Sequence, residues 1–268
     1  MPKQRIDTLL VDRGHFESRA QAAAAVLAGD VQLDASGRRV DKPGQMVDDQ
    51  AVLRVAQRSR YVSRGGIKLE NALAAFPEIE LAGRHALDAG ASTGGFTDCL
   101  LQRGVAHVIA VDVAYGELHN KLRDHPQVTV IERTNVREMK PEMLEYRPDL
   151  IVADLSFISL EKVLPAIRSC ASSAFDMLAL VKPQFEVGKE RIGKGGVVRD
   201  RATRIEAIEN AAVGARLAGY SVIGATSSGL PGPAGNLEAF LWLAERDRAG
   251  AADDLHSLAE SVEPLPVG

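Results

Sequence analysis

Cysteine is scarce in this 268-residue chain. Only Cys99 and Cys170 are present, with no CxxC pair and no Cys/His cluster, so neither a disulfide framework nor a metal site is indicated, and both thiols read as buried or incidental. No stretch reaches 18 uninterrupted apolar residues, and the opening MPKQRIDTLLVDRGHFESR carries charges every few positions. A membrane span and a secretory signal are both disfavoured, and a cytoplasmic protein is expected. Excess positive charge is missing too: 32 Lys and Arg against 36 Asp and Glu give a formal net charge of -4, which by itself weighs against a nucleic-acid binder. The distribution softens that objection. The first 60 residues hold ten basic and eight acidic residues, net +2, which leaves -6 for the rest. Arg54, Arg58, Arg60, Arg64 and Lys68 follow one another with no acid between them. Such a stripe can face phosphates or line a solvated linker, and charge alone does not separate the two.

What is present is ordinary for a protein with a real core: 46% hydrophobic and 25% charged residues, over a length that suits a catalytic domain and a small appendage. Ile6, Leu9 and Leu10 recur at helical spacing, and Ser18 is placed to cap a second helix, RAQAAAAVLAG. The short alternating segments VQLD, RRV and AVLRV read as strands. After residue 66 the pattern changes. HALDAG, HVIAVDV, VTVIE, DLIVADL, DMLALVKP, SVIGATSS and EAFLWLAE read as apolar strands, separated by helical stretches such as FTDCLLQRG and RIEAIENAAVGARLAG. Strands alternating with helices predict an α/β fold, a doubly wound, mostly parallel sheet covered on both faces. Four segments follow: a small α+β domain over 1–58, a linker over 59–65, an α/β domain over 66–247 and a C-terminal tail over 248–268.

In such sheets ligands bind at the carboxyl ends of the strands. The first strand of the larger domain ends in DAGASTGGF, Asp88 to Phe96, where Gly90, Gly94 and Gly95 let the backbone approach a ligand and a following helix offers N–H groups at its positive end. The spacing is G-x-x-x-G-G rather than G-x-G-x-x-G, so a nicotinamide cofactor fits poorly. Asp112 closes the second strand, where a carboxylate can accept the ribose hydroxyls of an adenosyl group. Asn135, after the third strand, suits either an adenine-edge contact or a turn.

The DxGxxxGGF run resembles motif I of the FtsJ-like methyltransferases. That resemblance implies S-adenosylmethionine as cofactor, held by Asp88, Gly90, Ser92, Thr93, Gly94, Gly95, Phe96, Asp112, Asn135 and Asp154, on a Rossmann-like sheet of seven strands, the last antiparallel. It further implies a Lys-Asp-Lys-Glu tetrad for 2′-hydroxyl methylation. The matching residues are Lys68 in SRGGIKL, Asp154 in VADLSF, Lys182 in LVKPQFE and Glu238 in GNLEAFLW. Methylating a ribose hydroxyl needs geometry and a base that takes the departing proton. Lys182 is the expected base, with Asp154 orienting it and offsetting the sulfonium charge, and Lys68 and Glu238 positioning the nucleotide; the base assignment stays open. Phe157 and Phe185 are candidates to stack on a base or to be buried. VKPQFEVGKERIGKGGVVRD, with five basic residues, and SSGLPGPAGNLE read as two lips of the site.

The N-terminal run RIDTLLVDRGHFESRAQAAAAVLAGDVQLDASGRRVDKPGQMV resembles the RNA-binding domain named after ribosomal small-subunit protein four, with Arg5, Asp7, Gly14, Ser18, Arg19, Gly29 and Pro43 on its pattern. This implies RNA contacts for Arg5, Arg19, Arg38 and Arg39, joined by Arg64 of the basic stripe. With ADLSFISL, LVKPQFEVG and LPGPAGNLEAFLW, the combination is similar to the TlyA family over nearly the whole chain to about Glu245. Ribosomal RNA, free or in subunits, would then be the partner, with cytidine the target. Tyr61 departs from the pattern, which has Trp before VSRG. A noncatalytic ribosome-assembly factor is the alternative, against which the intact tetrad stands. Members of the family were named haemolysins, but a membrane-active protein needs an exposed amphipathic or spanning element that the sequence does not offer. Oligomeric state is not legible.

Overall fold

The computed structural model describes residues 3–16, 18–28, 31–33, 38–40, 42–55 and 60–263, without the side chains of Ala24, Ala28, Arg38 and Arg39. Two compact units form, Met1–Arg60 and Tyr61–Gly268.

In the smaller unit the elements run β1 (Lys3–Arg5), α1 (Ile6–Asp12), α2 (Arg19–Ala28), β2 (Val31–Leu33), β3 (Arg38–Arg39), β4 (Met46–Asp48) and β5 (Leu53–Val55). β1 pairs with β4, and β3, β2 and β5 form an antiparallel sheet. Ser18 caps α2 as expected, its Oγ accepting from Gln21 N at 3.3 Å. Ile6, Leu9 and Leu10 of α1 bury against Ala22 and Val26 of α2 and Val31, Leu33 and Val47 of the strands.

The larger unit alternates as its sequence does: α3 (Arg64–Ala75), β6 (His85–Ala89), α4 (Gly95–Gln102), β7 (His107–Val111), α5 (Asn120–Arg123), β8 (Val128–Ile131), β9 (Leu150–Ala153), α6 (Leu164–Cys170), β10 (Asp176–Val181), α7 (Pro183–Glu186), α8 (Arg201–Leu217), β11 (Ser221–Ser227), β12 (Ala239–Ala244) and α9 (Leu255–Val262). Seven strands make one sheet in the order β11-β12-β10-β9-β6-β7-β8. Only β12, the last in sequence, runs antiparallel to its neighbours. The pleat divides each buried strand between two cores. Leu87, Ala89, Ile109, Val111, Ile151 and Ala153 meet α6 and α8 through Leu164, Ile167, Ile208 and Ala212. Ala86, Val108, Leu150, Val152, Leu178 and Leu180 meet α3 and α4 through Leu69, Ala72 and Leu100. Cys99 and Cys170 are both buried, one in each core.

Two segments differ from a plain linker and tail. α3 begins at Arg64, and Tyr61 is only 2% exposed, its hydroxyl accepting from Arg103 Nη1 at 2.7 Å. The side chain lies against the helix start: a Cβ at Gly66 would come within 2.3 Å of Tyr61 Cγ, so a glycine is required there. Past residue 247, α9 packs on α8 with Leu255 and Ala259 buried, and Arg204 Nε donates to Glu263 at 2.8 Å. Among the described residues no helix is long and apolar enough to cross a membrane.

Candidate active site

The carboxyl ends of β6, β7, β9 and β10 converge on one edge of the sheet, because four parallel strands bring their loops there together. The loop after β6 makes its turn with Gly90 at φ +89° and Gly94 at φ +92°, and Gly94 caps α4 in the left-handed region. A Cβ on Gly90 would sit 2.5 Å from the Asp154 carbonyl oxygen, so this glycine lets the β6 and β9 ends touch. Gly95 does the same between α4 and α3, where a Cβ would sit 2.2 Å from Ser63 Oγ.

Asp88 and Phe96 face inward. Asp88 is fully buried, and its Oδ2 accepts from Thr97 N at 2.9 Å and Thr97 Oγ1 at 2.6 Å, while Oδ1 has no partner. Burial pushes its carboxyl up to about 7. It lines neither cavity described below, and its position supports the first turn of α4 from within. Phe96 is buried against Phe240, with ring centroids 5.8 Å apart, and forms part of a cavity floor.

A cleft of about 470 Å³ runs from Gly90 and Ser92 past Asp112 to Asn135 and Phe157. Asp112 is fixed by two backbone groups: Oδ2 accepts from Ser92 N at 2.7 Å and Oδ1 from Ala114 N at 2.8 Å. Each oxygen keeps a lone pair for a hydroxyl. Asn135 serves both expectations, since its Oδ1 caps the turn at Val136–Glu138 by accepting from Arg137 N at 3.1 Å and its side chain still lines the cleft. The cleft is of cofactor size. Its glycine-cleared floor and oriented carboxylate suit an adenosyl group.

A second cavity, of about 380 Å³, shares Gly90, Ser92 and Asp154 with the cleft. Thr93 and Gly95 line it, and Lys68, Asp154, Lys182 and Glu238 all face it. The four lysine and carboxylate groups form two pairs. Lys68 Nζ lies 2.5 Å from Glu238 Oε2, with side chains 8% and 1% exposed. Lys182 Nζ lies 2.5 Å from Asp154 Oδ1 and donates to Ser156 Oγ at 2.9 Å. Glu238 Oε1 accepts no hydrogen bond, so the Lys68–Glu238 pair keeps an acceptor in reserve. Lys182 stands at the junction of β10 and α7, where Pro183 fixes the turn that aims it.

The lip over residues 228–238 is held by one face of α3. Arg64 Nη2 donates to Pro231 O at 3.0 Å, Lys68 pairs with Glu238, and Asn71 Nδ2 donates to Ser228 O at 2.9 Å, a spacing of four and then three residues. Buried Asn236 then knots this lip to the Gly/Lys-rich one: its Oδ1 accepts from Val198 N at 2.9 Å and its Nδ2 donates to Gly196 O at 2.8 Å. Ser156, Asn71 and Asn236 were not singled out from sequence, although Ser156 and Asn236 sit two residues from Asp154 and Glu238. Phe157 is 91% exposed, has φ +64° and leans on Phe185 with centroids 5.2 Å apart.

Of the basic residues expected to meet RNA, Arg64 lines the second cavity. In the smaller unit Arg5 and Arg19 both grip buried Asp7, with Nη2 to Oδ2 distances of 2.8 and 3.2 Å, yet both stay about half exposed. Their hydrogen bonds, Arg5 foremost, hold the Asp7 carboxyl well below the usual range. The side chains of Arg38 and Arg39 lie outside the described residues.

A Rossmann-like sheet with a glycine loop opening a helix, an acidic strand end and paired Lys/Asp and Lys/Glu groups in an adjoining cavity define a methyltransferase. Residues 61–245 match the FtsJ-like methyltransferase family. The chain is 51% identical over 256 residues, 94% of each chain, to the 16S/23S rRNA (cytidine-2′-O)-methyltransferase TlyA of Mycobacterium tuberculosis. It is 37% identical over 235 residues, 87% of this chain and 97% of the relative, to Hemolysin A of Brachyspira hyodysenteriae. A solved structure of a hemolysin-named chain from Streptococcus thermophilus covers 97% of this chain and 96% of its own at 40% identity, with a TM-score of 0.73. The chain belongs to the FtsJ-like methyltransferase family.

Proposed function

We propose that this protein transfers a methyl group from S-adenosylmethionine to a ribose 2′-hydroxyl of ribosomal RNA, with cytidine as the target nucleotide, in the cytoplasm. The observation that carries the reading is the junction of the two cavities at Gly90, Ser92 and Asp154, which puts a cofactor-sized cleft next to the two Lys/acid pairs. The name of the Mycobacterium tuberculosis relative supports cytidine in 16S and 23S rRNA. Residues 1–58 serve as the RNA-binding domain, Arg5, Arg19, Arg38 and Arg39 as its phosphate contacts, and residues 66–247 as the methyltransferase domain joined to it by 59–65.

Asp112 and the Gly90–Gly95 loop hold the cofactor, and Asn135 borders its adenine. When bound, S-adenosylmethionine supplies a methyl group on a positively charged sulfur. Lys182 Nζ, steered by Ser156 and Asp154, would take the proton that leaves the 2′-hydroxyl as its oxygen gains the methyl, once its ammonium has released a proton to solvent and left its pairing with Asp154 as a neutral amine. The Asp154 carboxylate, at the seam of both cavities, offsets the positive charge there. Lys68 and Glu238, locked to each other and to the lip, shape the pocket for the ribose. Exposed Phe157 offers a face on which an unstacked base rests. Labelled cofactor incubated with each ribosomal subunit tests this: the wild type incorporates label and Lys182→Ala does not, although it binds cofactor as before. Absence of incorporation into either subunit overturns the reading in favour of an RNA-binding assembly factor.

A further inference from the structure

The turn after β9 carries Asp154, Ser156 and Phe157, and three ties fasten it to the neighbouring α7. Lys182 touches Asp154 and Ser156, Phe185 backs Phe157, and Glu186 Oε2 and Oε1 accept from Ser159 Oγ at 2.7 Å and Leu160 N at 2.9 Å. The first two ties border the cavities and are disturbed when an acceptor arrives. Lys182 must turn to the hydroxyl, and Phe157 must turn to a base. Glu186 and Ser159 line neither cavity, so their tie persists through a turnover. It is also the tie that touches the backbone just past Phe157, a non-glycine residue at φ +64°, a strained conformation that persists only where the surroundings impose it.

Resting on the acceptor reading above, we propose that Glu186 is a positioning residue for the RNA acceptor: by holding Ser159 and Leu160 it keeps the Asp154–Phe157 turn in the shape that presents Phe157 and Ser156 to the incoming nucleotide. Burial raises the Glu186 carboxyl above its ordinary value, and the two hydrogen bonds oppose that rise. A neutral glutamine can still accept from Leu160 N and stay hydrogen-bonded to Ser159.

The test compares Glu186→Ala, Glu186→Gln, Phe157→Ala and Glu186→Ala/Phe157→Ala in methyl transfer to ribosomal subunits, with cofactor affinity measured separately. Glu186→Ala is expected to lower kcat/KM for RNA about 10- to 100-fold, with cofactor affinity unchanged and Glu186→Gln close to wild type. In the Phe157→Ala background the same change should add little, because both act on one turn. Full activity of Glu186→Ala, or a fully additive double variant, overturns the proposal. If the wild type itself transfers no methyl, the function proposed above fails. Amide exchange over residues 157–160 then decides the present proposal: faster exchange in Glu186→Ala, restored in Glu186→Gln, supports it, and an unchanged rate overturns it.

Discussion

Removing one member of the Lys68–Glu238 pair should cost far more than removing both. The groups lie 2.5 Å apart and their side chains are 8% and 1% exposed, so solvent cannot take over for a missing partner. Breaking such a pair costs about 3–5 kcal/mol, because the surviving charge stays buried. For a unit of this size that lowers Tm by roughly 6–20 °C. Lys68→Met/Glu238→Leu leaves no buried charge and should recover most of the loss, since an apolar pair of similar volume is often as stable as the ion pair. Stability and catalysis then part company: the double variant is well folded and methylates nothing. Denaturant unfolding of the two single variants and the double variant, with methyl transfer assayed on the same samples, measures both. Single losses below about 1 kcal/mol, the range of exposed ion pairs, would refute the burial argument. An active double variant would refute the catalytic one.

Three other perturbations test separate parts of the site. Gly90→Ala forces a Cβ to within 2.5 Å of the Asp154 carbonyl at φ +89°. It should destabilise by at least about 1–3 kcal/mol in thermal unfolding and weaken methyl transfer; a neutral effect would mean that the β6 and β9 ends do not touch. Asp112→Ala removes the acceptor of the Ser92 and Ala114 amides. Cofactor affinity by equilibrium dialysis should fall about 10- to 100-fold, the worth of one or two hydrogen bonds to a charged group, and an unchanged affinity would remove Asp112 from the cofactor site. Asp88 tests the pH behaviour. Its carboxyl is raised by burial from 3.8 to about 7, so the folded state holds a proton that the unfolded chain releases across that window. Its contribution to stability therefore declines as pH rises through the window and is level above it. Asp88→Asn should lose that decline, so the wild-type minus variant stability difference shrinks between about pH 4 and 7. A difference constant over that range would contradict the assignment.

The strands of the larger unit were legible because a parallel sheet buried on both faces demands continuous apolar runs, and all seven runs became strands of one sheet. That Asp154, Lys182 and Glu238 gather at one cavity was legible for a related reason, since they follow or open such runs. Asp88 shows where reading by position alone falls short. It shares pleat parity with Ala86, which faces the α3 and α4 core, so it points at Thr97 and not into the cleft. Asn71, Asn236 and Glu186 were hidden because their partners are 157, 38–40 and 26–27 residues away, in loops whose approach no local pattern encodes. Arg5 and Arg19 read as RNA contacts, yet a buried acid two residues after Arg5 gives both a structural task as well.

The central claim is that the acceptor is a ribose oxygen. Subunits incubated with the protein and cofactor, digested to nucleosides and analysed by mass spectrometry, test it most directly. The account predicts 2′-O-methylcytidine, with the added methyl retained on the sugar fragment when the glycosidic bond breaks. A methyl carried by the base fragment, from the wild type and not from Lys182→Ala, would contradict it.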